Sequence, residues 1–264
     1  MGLDIFKAIV LGVIEGITEF LPISSTGHLI LANHWLKFED DFTVLFDIVI
    51  QLGAILSVLV YFHQKLWPKT TGEKKAVLSL WKKTLVGVLP ALFFGFLLGD
   101  LIERKLFNPL TVAITLIIGG IILLLLERRK AKIRFDSMAG LSFQAAFLIG
   151  LFQCLAMIPG TSRSAATIIG AMLLGASRQV AVEFSFFLAV PTMLAASSYS
   201  LLKNNAWLSF SEIIILTVGF VVSFLTAWTV IKYFLLYIQK NDLRFFGCYR
   251  IILGAILLFL FFFF

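Results

Sequence analysis

The sequence is poor in charge: Asp, Glu, Lys and Arg make up 14% of its 264 residues, while 60% are hydrophobic. Soluble domains carry about a quarter charged residues, so a water-soluble fold is excluded. Cysteine is nearly absent. Cys154 and Cys248 sit within apolar stretches without metal-ligand spacing and are expected to be small packing residues. No His-x-x-x-His or Cys-x-x-Cys pair occurs, which excludes the usual zinc sites. A glycine-rich phosphate loop is also missing, since Gly160-Thr-Ser-Arg-Ser lacks the glycines and the lysine of a P-loop. No secretory signal peptide is expected, because no basic region precedes the first apolar run, which itself carries acids. A net charge of +7 would suit nucleic acid, but the positive residues lie in short loops between apolar spans, so no nucleic-acid partner is expected.

What is present is long apolar sequence. The chain is expected to be an all-α polytopic membrane protein, a single integral membrane domain over 1–264. Spanning helices are expected at 44–62, 85–99, 109–126, 181–201, 210–231 and 247–264. An acidic link, Phe38-Glu39-Asp40-Asp41, precedes the first. Basic loops follow at Lys65, Lys69, Lys74, Lys75, Lys82 and Lys83, and at Arg128, Arg129, Lys130, Lys132 and Arg134. Positive charge in short loops marks the cytoplasmic side, so residues 63–84 and 127–138 are placed inside and 100–108 outside.

Two stretches depart from this pattern. Residues 5–35 contain Glu15, Glu19, Pro22, Ser24, Ser25, Thr26 and His28, and residues 139–176 contain Pro159, Gly160, Ser162, Arg163, Ser164 and Thr167. In each, an apolar helix meets a proline and is followed by hydroxyls suited to cap a new helix. Ionisable groups at membrane depth cost ~2.5–3.5 kcal/mol each on insertion scales, and so mark function. Setting Pro22 over Pro159 aligns Ser25 with Ser162 and Thr26 with Arg163; Phe46 falls opposite Phe184 and Gly53 opposite Pro191 at nearly the same offset. The expectation is two re-entrant helix pairs in inverted-topology repeats, 1–126 and 139–264, with a site where the repeats meet. Full crossing by the broken segments would also keep both basic loops on one side.

The chemistry at the breaks is specific. Glu15 and Glu19, spaced i,i+4, share a helix face and repel unless a cation or proton lies between them. Helix starts near Ser25 and Ser162 offer free N–H groups to anions, and Arg163 adds a planar fork for phosphate. His28 lies three residues after Ser25, within a helical turn, a spacing that permits His28 to take a proton from Ser25 or from a water held by Ser25, so that either serine or water is the nucleophile. Ser24, Thr26, Ser162, Ser164, Thr167 and Gln51 are candidates for binding the phosphorylated ligand, though the same side chains serve equally as caps and helix contacts. Asp47 and Gln51 have a comparable alternative role in satisfying broken backbone. Carboxylates on one side and an anion cradle on the other suggest a divalent cation bridging to phosphate.

The segments Glu15-Gly-Ile-Thr-Glu19-Phe-Leu-Pro-Ile-Ser-Ser-Thr-Gly-His28 and Pro159-Gly-Thr-Ser-Arg-Ser164-Ala-Ala-Thr167 resemble the two signatures of bacterial undecaprenyl-diphosphatases, the bacitracin-resistance family. Ala165 stands where that family often has glycine, a change that removes no chemical group. The resemblance covers the whole chain. It implies hydrolysis of a polyprenyl diphosphate, undecaprenyl diphosphate, to the monophosphate, which recycles the lipid carrier of peptidoglycan synthesis and confers bacitracin resistance. It further implies a divalent cation, magnesium or calcium, and a multi-pass enzyme of the bacterial cytoplasmic membrane with its site facing the outer side; a homodimer is compatible with it. By the family's pattern Glu15 and Glu19 serve the metal, Arg163 the diphosphate, and Ser25 and His28 are catalytic candidates. Other membrane lipid phosphatases place a second His and an Asp after their Ser-Arg pair, and none follows Arg163 here. The alternative is a secondary transporter or flippase of a phosphorylated lipid, which needs the cradle but no general base.

Overall fold

The computed structural model describes residues 2–36, 38, 40–129, 132–203 and 208–263. Glu39 of the acidic link, Lys130 of the second basic loop and Phe264 of the last span lie outside the described residues. The rest is nearly all helix: α1 (Gly2–Thr18), α2 (Ser25–Leu36), α3 (Asp40–Tyr61), α4 (His63–Leu66), α5 (Thr71–Leu106), α6 (Pro109–Arg128), α7 (Phe143–Gln153), α8 (Arg163–Leu173), α9 (Arg178–Lys203), α10 (Phe210–Lys240) and α11 (Arg244–Phe263). Among the described residues six helices, α3, α5, α6, α9, α10 and α11, are long and apolar enough to cross a membrane. The others fall short of the ~20 residues a crossing needs.

Two boundaries differ from the sequence expectation. The basic loop expected over 63–84 is helical from Thr71 onward. Thr70 accepts a hydrogen bond from the Glu73 N–H, and Glu73 accepts one from the Thr70 N–H, a capping box that starts α5 fourteen positions early. Lys74, Lys75, Lys82 and Lys83 therefore lie within the helix and do not break it. Likewise α10 runs to Lys240, past the expected 231.

The core is built around α9, 72% of whose spanning window is buried, against 17–44% for the other five. Helix α9 packs on α3, α5 and α8. Outside it, α1 lies against α10 and α7 against α5, while α6 pairs with α11. Small residues permit the close approaches: Gly12 and Gly16 meet the backbone of α10 at Gly219 and Ser223, and Gly150 meets the backbone of Gly87.

Candidate active site

The site begins where two helices stop. Helix α1 ends at Thr18, although the Glu19 N–H still donates to the Glu15 carbonyl at 2.9 Å. The chain then turns through Pro22 to Ser24, whose φ is +72°. A side chain in this left-handed region costs about 1–2 kcal/mol, so the turn is held by its surroundings. Ser24 Oγ accepts from the Gly27 N–H at 3.4 Å, capping α2. The second break repeats the device. After a 3-10 turn at Cys154–Met157, Gly160 has φ +85° and lies against α6, where a Cβ would stand 2.6 Å from the Val112 carbonyl. Ser162 follows with φ +70°, and its hydroxyl accepts from the Ala165 N–H at 3.2 Å to cap α8. Ser24 and Ser162 are the only non-glycine residues with positive φ among those described.

This geometry corrects the register taken from the prolines. Ser24, not Ser25, is the counterpart of Ser162, and Ser25 is the counterpart of Arg163, because the second loop has one more residue between its proline and its capping serine. The corrected register carries Gly12 onto Gly150, Glu15 onto Gln153, Phe46 onto Phe184 and Gly53 onto Pro191 without a further shift.

The two first helical residues meet at one carboxylate. Ser25 Oγ donates to Glu19 Oε2 at 2.7 Å, and Arg163 Nη2 donates to Glu19 Oε1 at 3.1 Å. The Glu19 and Arg163 side chains are only 5% and 11% exposed, so the pair is held in a low-dielectric setting where losing either partner is costly. Arg163 Nη1 donates to the Ser185 carbonyl at 2.8 Å, and the guanidinium lies 5.8 Å from the centroid of Phe20, itself edge-on to Phe186. Ser164 Oγ ties the loops together by donating to the Leu21 carbonyl at 2.7 Å.

Above this chain of contacts opens a cavity of about 880 Å³. Its polar lining includes Glu19, Ser24, Ser25, Thr26, Gln51, Ser162 and Arg163, together with Gln153 and Thr192, which hydrogen-bond to one another at 3.1 Å. Its apolar walls come from Ala91, Leu92 and Phe96 of α5 and Met193, Ala195 and Ala196 of α9. A charged floor under an apolar gallery suits an amphiphile with an anionic head.

Not every expected residue reaches the cavity. Ser164 and Thr167 are fully buried; Thr167 Oγ1 donates to Ser185 Oγ at 2.7 Å. Both support the loops and do not line the cavity. The expected Ser25–His28 contact is replaced. His28 Nδ1 bonds the Ser24 carbonyl and Nε2 bonds the Tyr249 hydroxyl, each at 2.7 Å, and the His28 and Tyr249 rings are stacked. Both His28 nitrogens are thus engaged with the first loop and Tyr249, and the Ser25 hydroxyl donates its hydrogen bond to Glu19. Glu15 is 1% exposed, and neither of its oxygens has a hydrogen-bond partner.

Sequence reasoning passed over Phe20, Gln153, Tyr249 and Arg250. Phe20 and Tyr249 carry no signal in so aromatic a chain. Arg250 did carry one, an arginine inside an apolar span. Among the described residues no group of three or more His, Cys, Asp or Glu is arranged to hold a metal ion. Two carboxylates, one with orphaned oxygens, nevertheless fit a magnesium-type ion, which takes one or two carboxylates and completes its shell with water and phosphate oxygens.

Comparison with known proteins agrees along the whole chain. The family model described as Bacitracin resistance protein BacA matches residues 8–256. Undecaprenyl-diphosphatase 1 of Clostridioides difficile (strain 630) is 50% identical over 266 residues, covering 98% of this chain and 97% of that one. The undecaprenyl-diphosphatases of Lachnoclostridium phytofermentans and Enterococcus faecalis (strain ATCC 700802 / V583) are 49% identical over 262 residues and 48% over 267, covering 96% and 97% of this chain and 96% of each relative.

Proposed function

The chain belongs to the bacitracin resistance protein BacA family, and we infer from that membership that it hydrolyses undecaprenyl diphosphate to undecaprenyl phosphate and inorganic phosphate. The product is the lipid carrier of cell-wall synthesis, so the reaction returns the carrier to use. The observation that carries the mechanism is the Ser25–Glu19–Arg163 chain at the floor of a cavity with an apolar wall.

In the proposed reaction Glu19 accepts the proton of Ser25 as Oγ attacks the terminal phosphorus. The bond from that phosphorus to the bridging oxygen breaks, and undecaprenyl phosphate leaves. Water then releases phosphate from the serine. Arg163, with the N–H groups at the starts of α2 and α8, offsets the charge gathering on the phosphoryl oxygens. Glu15, with Glu19 beside it, would hold a magnesium-type cation, which when bound adds positive charge at the same oxygens. Thr26, Gln51 and Ser162 orient the head group, and the walls formed by α5 and α9 receive the start of the prenyl chain.

The site is proposed to face the outer side of the bacterial cytoplasmic membrane. The cavity is lined by the late parts of α5 and α9, including Gly99, Asp100 and Ser200, and by Val44 near the start of α3. These ends lie away from the lysine-rich start of α5, the side that positive charge assigns to the cytoplasm. The broken segments are proposed to be re-entrant and the halves to be inverted repeats. What supports this is that the pairing of α1 with α10 mirrors that of α7 with α5.

The test is phosphate release by the purified protein from a long-chain prenyl diphosphate, with and without chelator. Release that falls on chelation and returns with magnesium is expected. A transporter that only moves the head group would release none, and that result would contradict the reading.

A further inference from the structure

Arg250 on α11 is completely buried, and every hydrogen bond it makes is to a neutral backbone carbonyl. Nε donates to Leu116 at 3.3 Å and Nη2 to Thr115 at 3.1 Å, both on α6. The other two bonds go to the two breaks: Nη1 donates to the Pro22 carbonyl at 3.3 Å, and Nη2 donates to the Gly160 carbonyl at 3.1 Å. One guanidinium therefore spans from the loop that presents Ser25 to the loop that presents Arg163. No carboxylate among the described residues pairs with it. A buried arginine without a counter-ion is expensive in a membrane, so packing alone does not account for it. The surroundings are shaped to admit it. Gly119 of α6 lies against the guanidinium, and a Cβ there would stand 2.9 Å from Arg250 Cζ. Thr115 completes the support by donating to the Pro159 carbonyl at 2.6 Å.

The geometry points to Arg250 as a positioning residue that sets the two loops against each other and so fixes the distance from Ser25 to Arg163 across Glu19. This rests on the proposed hydrolysis, in which the attacking hydroxyl and the charge-offsetting guanidinium come from different loops. Arg250 does not line the cavity, so its effect falls on alignment, not on affinity for the head group. A fork is needed because two carbonyls on separate loops accept from different nitrogens; an ammonium at the end of a lysine keeps the charge and loses the span.

The experiment measures kcat and KM for a prenyl diphosphate in purified full-length wild type, Arg250→Lys, Gly119→Ala and Gly254→Ala, with thermal unfolding of each. Gly254 is the control. It sits in the same α6–α11 interface, where a Cβ would crowd the Ala113 carbonyl at 2.7 Å, but it is not in contact with the guanidinium. The expected result is a folded Arg250→Lys and a folded Gly119→Ala with kcat lowered about 10–100-fold, the scale of a small misplacement of reacting groups. KM should stay within about 3-fold, and Gly254→Ala should keep kcat within the same factor, because uniform binding is untouched. A folded Arg250→Lys with wild-type kcat overturns the inference, as does an equal kcat loss in Gly254→Ala. If Arg250→Lys does not fold, Gly119→Ala decides by the same criterion. Failure of both to fold beside a folded Gly254→Ala makes Arg250 a folding determinant and also overturns it. A wild type that releases no phosphate removes the functional reading itself, and this inference with it.

Discussion

The two breaks share a backbone and differ in chemistry. Each stops an apolar helix, turns through a serine in the left-handed region, and starts a new helix whose first residue faces the cavity. In the first break the positions around that turn are Glu15, Glu19 and Ser25, groups that take or give protons. In the second, the matching positions Gln153 and Arg163 are a neutral amide and a permanent cation. The two breaks thus share a backbone turn and carry different side chains on it. Glu19 is where the breaks join, since one oxygen accepts from the Ser25 hydroxyl and the other from Arg163 Nη2.

The comparison is broken most severely by neutralising the join. Glu19→Gln should lower phosphate release towards the upper end of the ~10²–10⁴-fold range of general-base catalysis, measured at saturating magnesium on folded protein. Residual activity within tenfold of wild type would separate the two breaks functionally. Arg163→Lys leaves a cation but removes the fork, and should lower kcat about 10²–10³-fold, as loss of one charge-stabilising donor does. Rates equal to wild type would show that the second break supplies only charge. His28→Ala should cost less, roughly 10-fold, short of the ~100-fold that a 1 Å misplacement of a reacting group costs. Its ring holds the Ser24 carbonyl and Tyr249 and does not touch Ser25, so Tyr249→Phe should reproduce most of the loss. A His28→Ala loss as large as that of Glu19→Gln would restore His28 as the base. The smallest effect sharpens the likeness between the breaks. Ser24→Gly and Ser162→Gly should each shift stability by no more than ~1 kcal/mol, because relief of the left-handed strain offsets a weakened cap. Thermal unfolding of both should show matching shifts; a large loss in one alone would mean that its turn is held by other contacts.

Much of this was legible in the sequence because membrane chemistry makes polar residues conspicuous. The six spanning helices follow from runs of apolar residues, and Glu19, Ser25 and Arg163 stand out as costly groups beside prolines. Helix ends were less legible. Lysines at the start of α5 resemble a loop in composition, and only the Thr70–Glu73 capping box shows that the helix has begun. The direction of a side chain was not legible at all. A spacing of three residues places His28 near Ser25 on paper, but its Nε2 is bonded to Tyr249, more than two hundred positions away. The register between the breaks failed for a similar reason: proline marks where a helix cannot continue, whereas the serine φ marks where the next one starts.

Whether Ser25 and Glu19 act as one unit is read from a double-mutant cycle. Phosphate release from a prenyl diphosphate is measured for Ser25→Ala, Glu19→Gln and the double variant under identical conditions. If Glu19 acts by taking the Ser25 proton, the double variant loses no more than the worse single variant, within about 3-fold, because groups that act together are strongly non-additive. If the two losses multiply, Glu19 and Ser25 act independently, and the hydrogen bond between them is not the catalytic one.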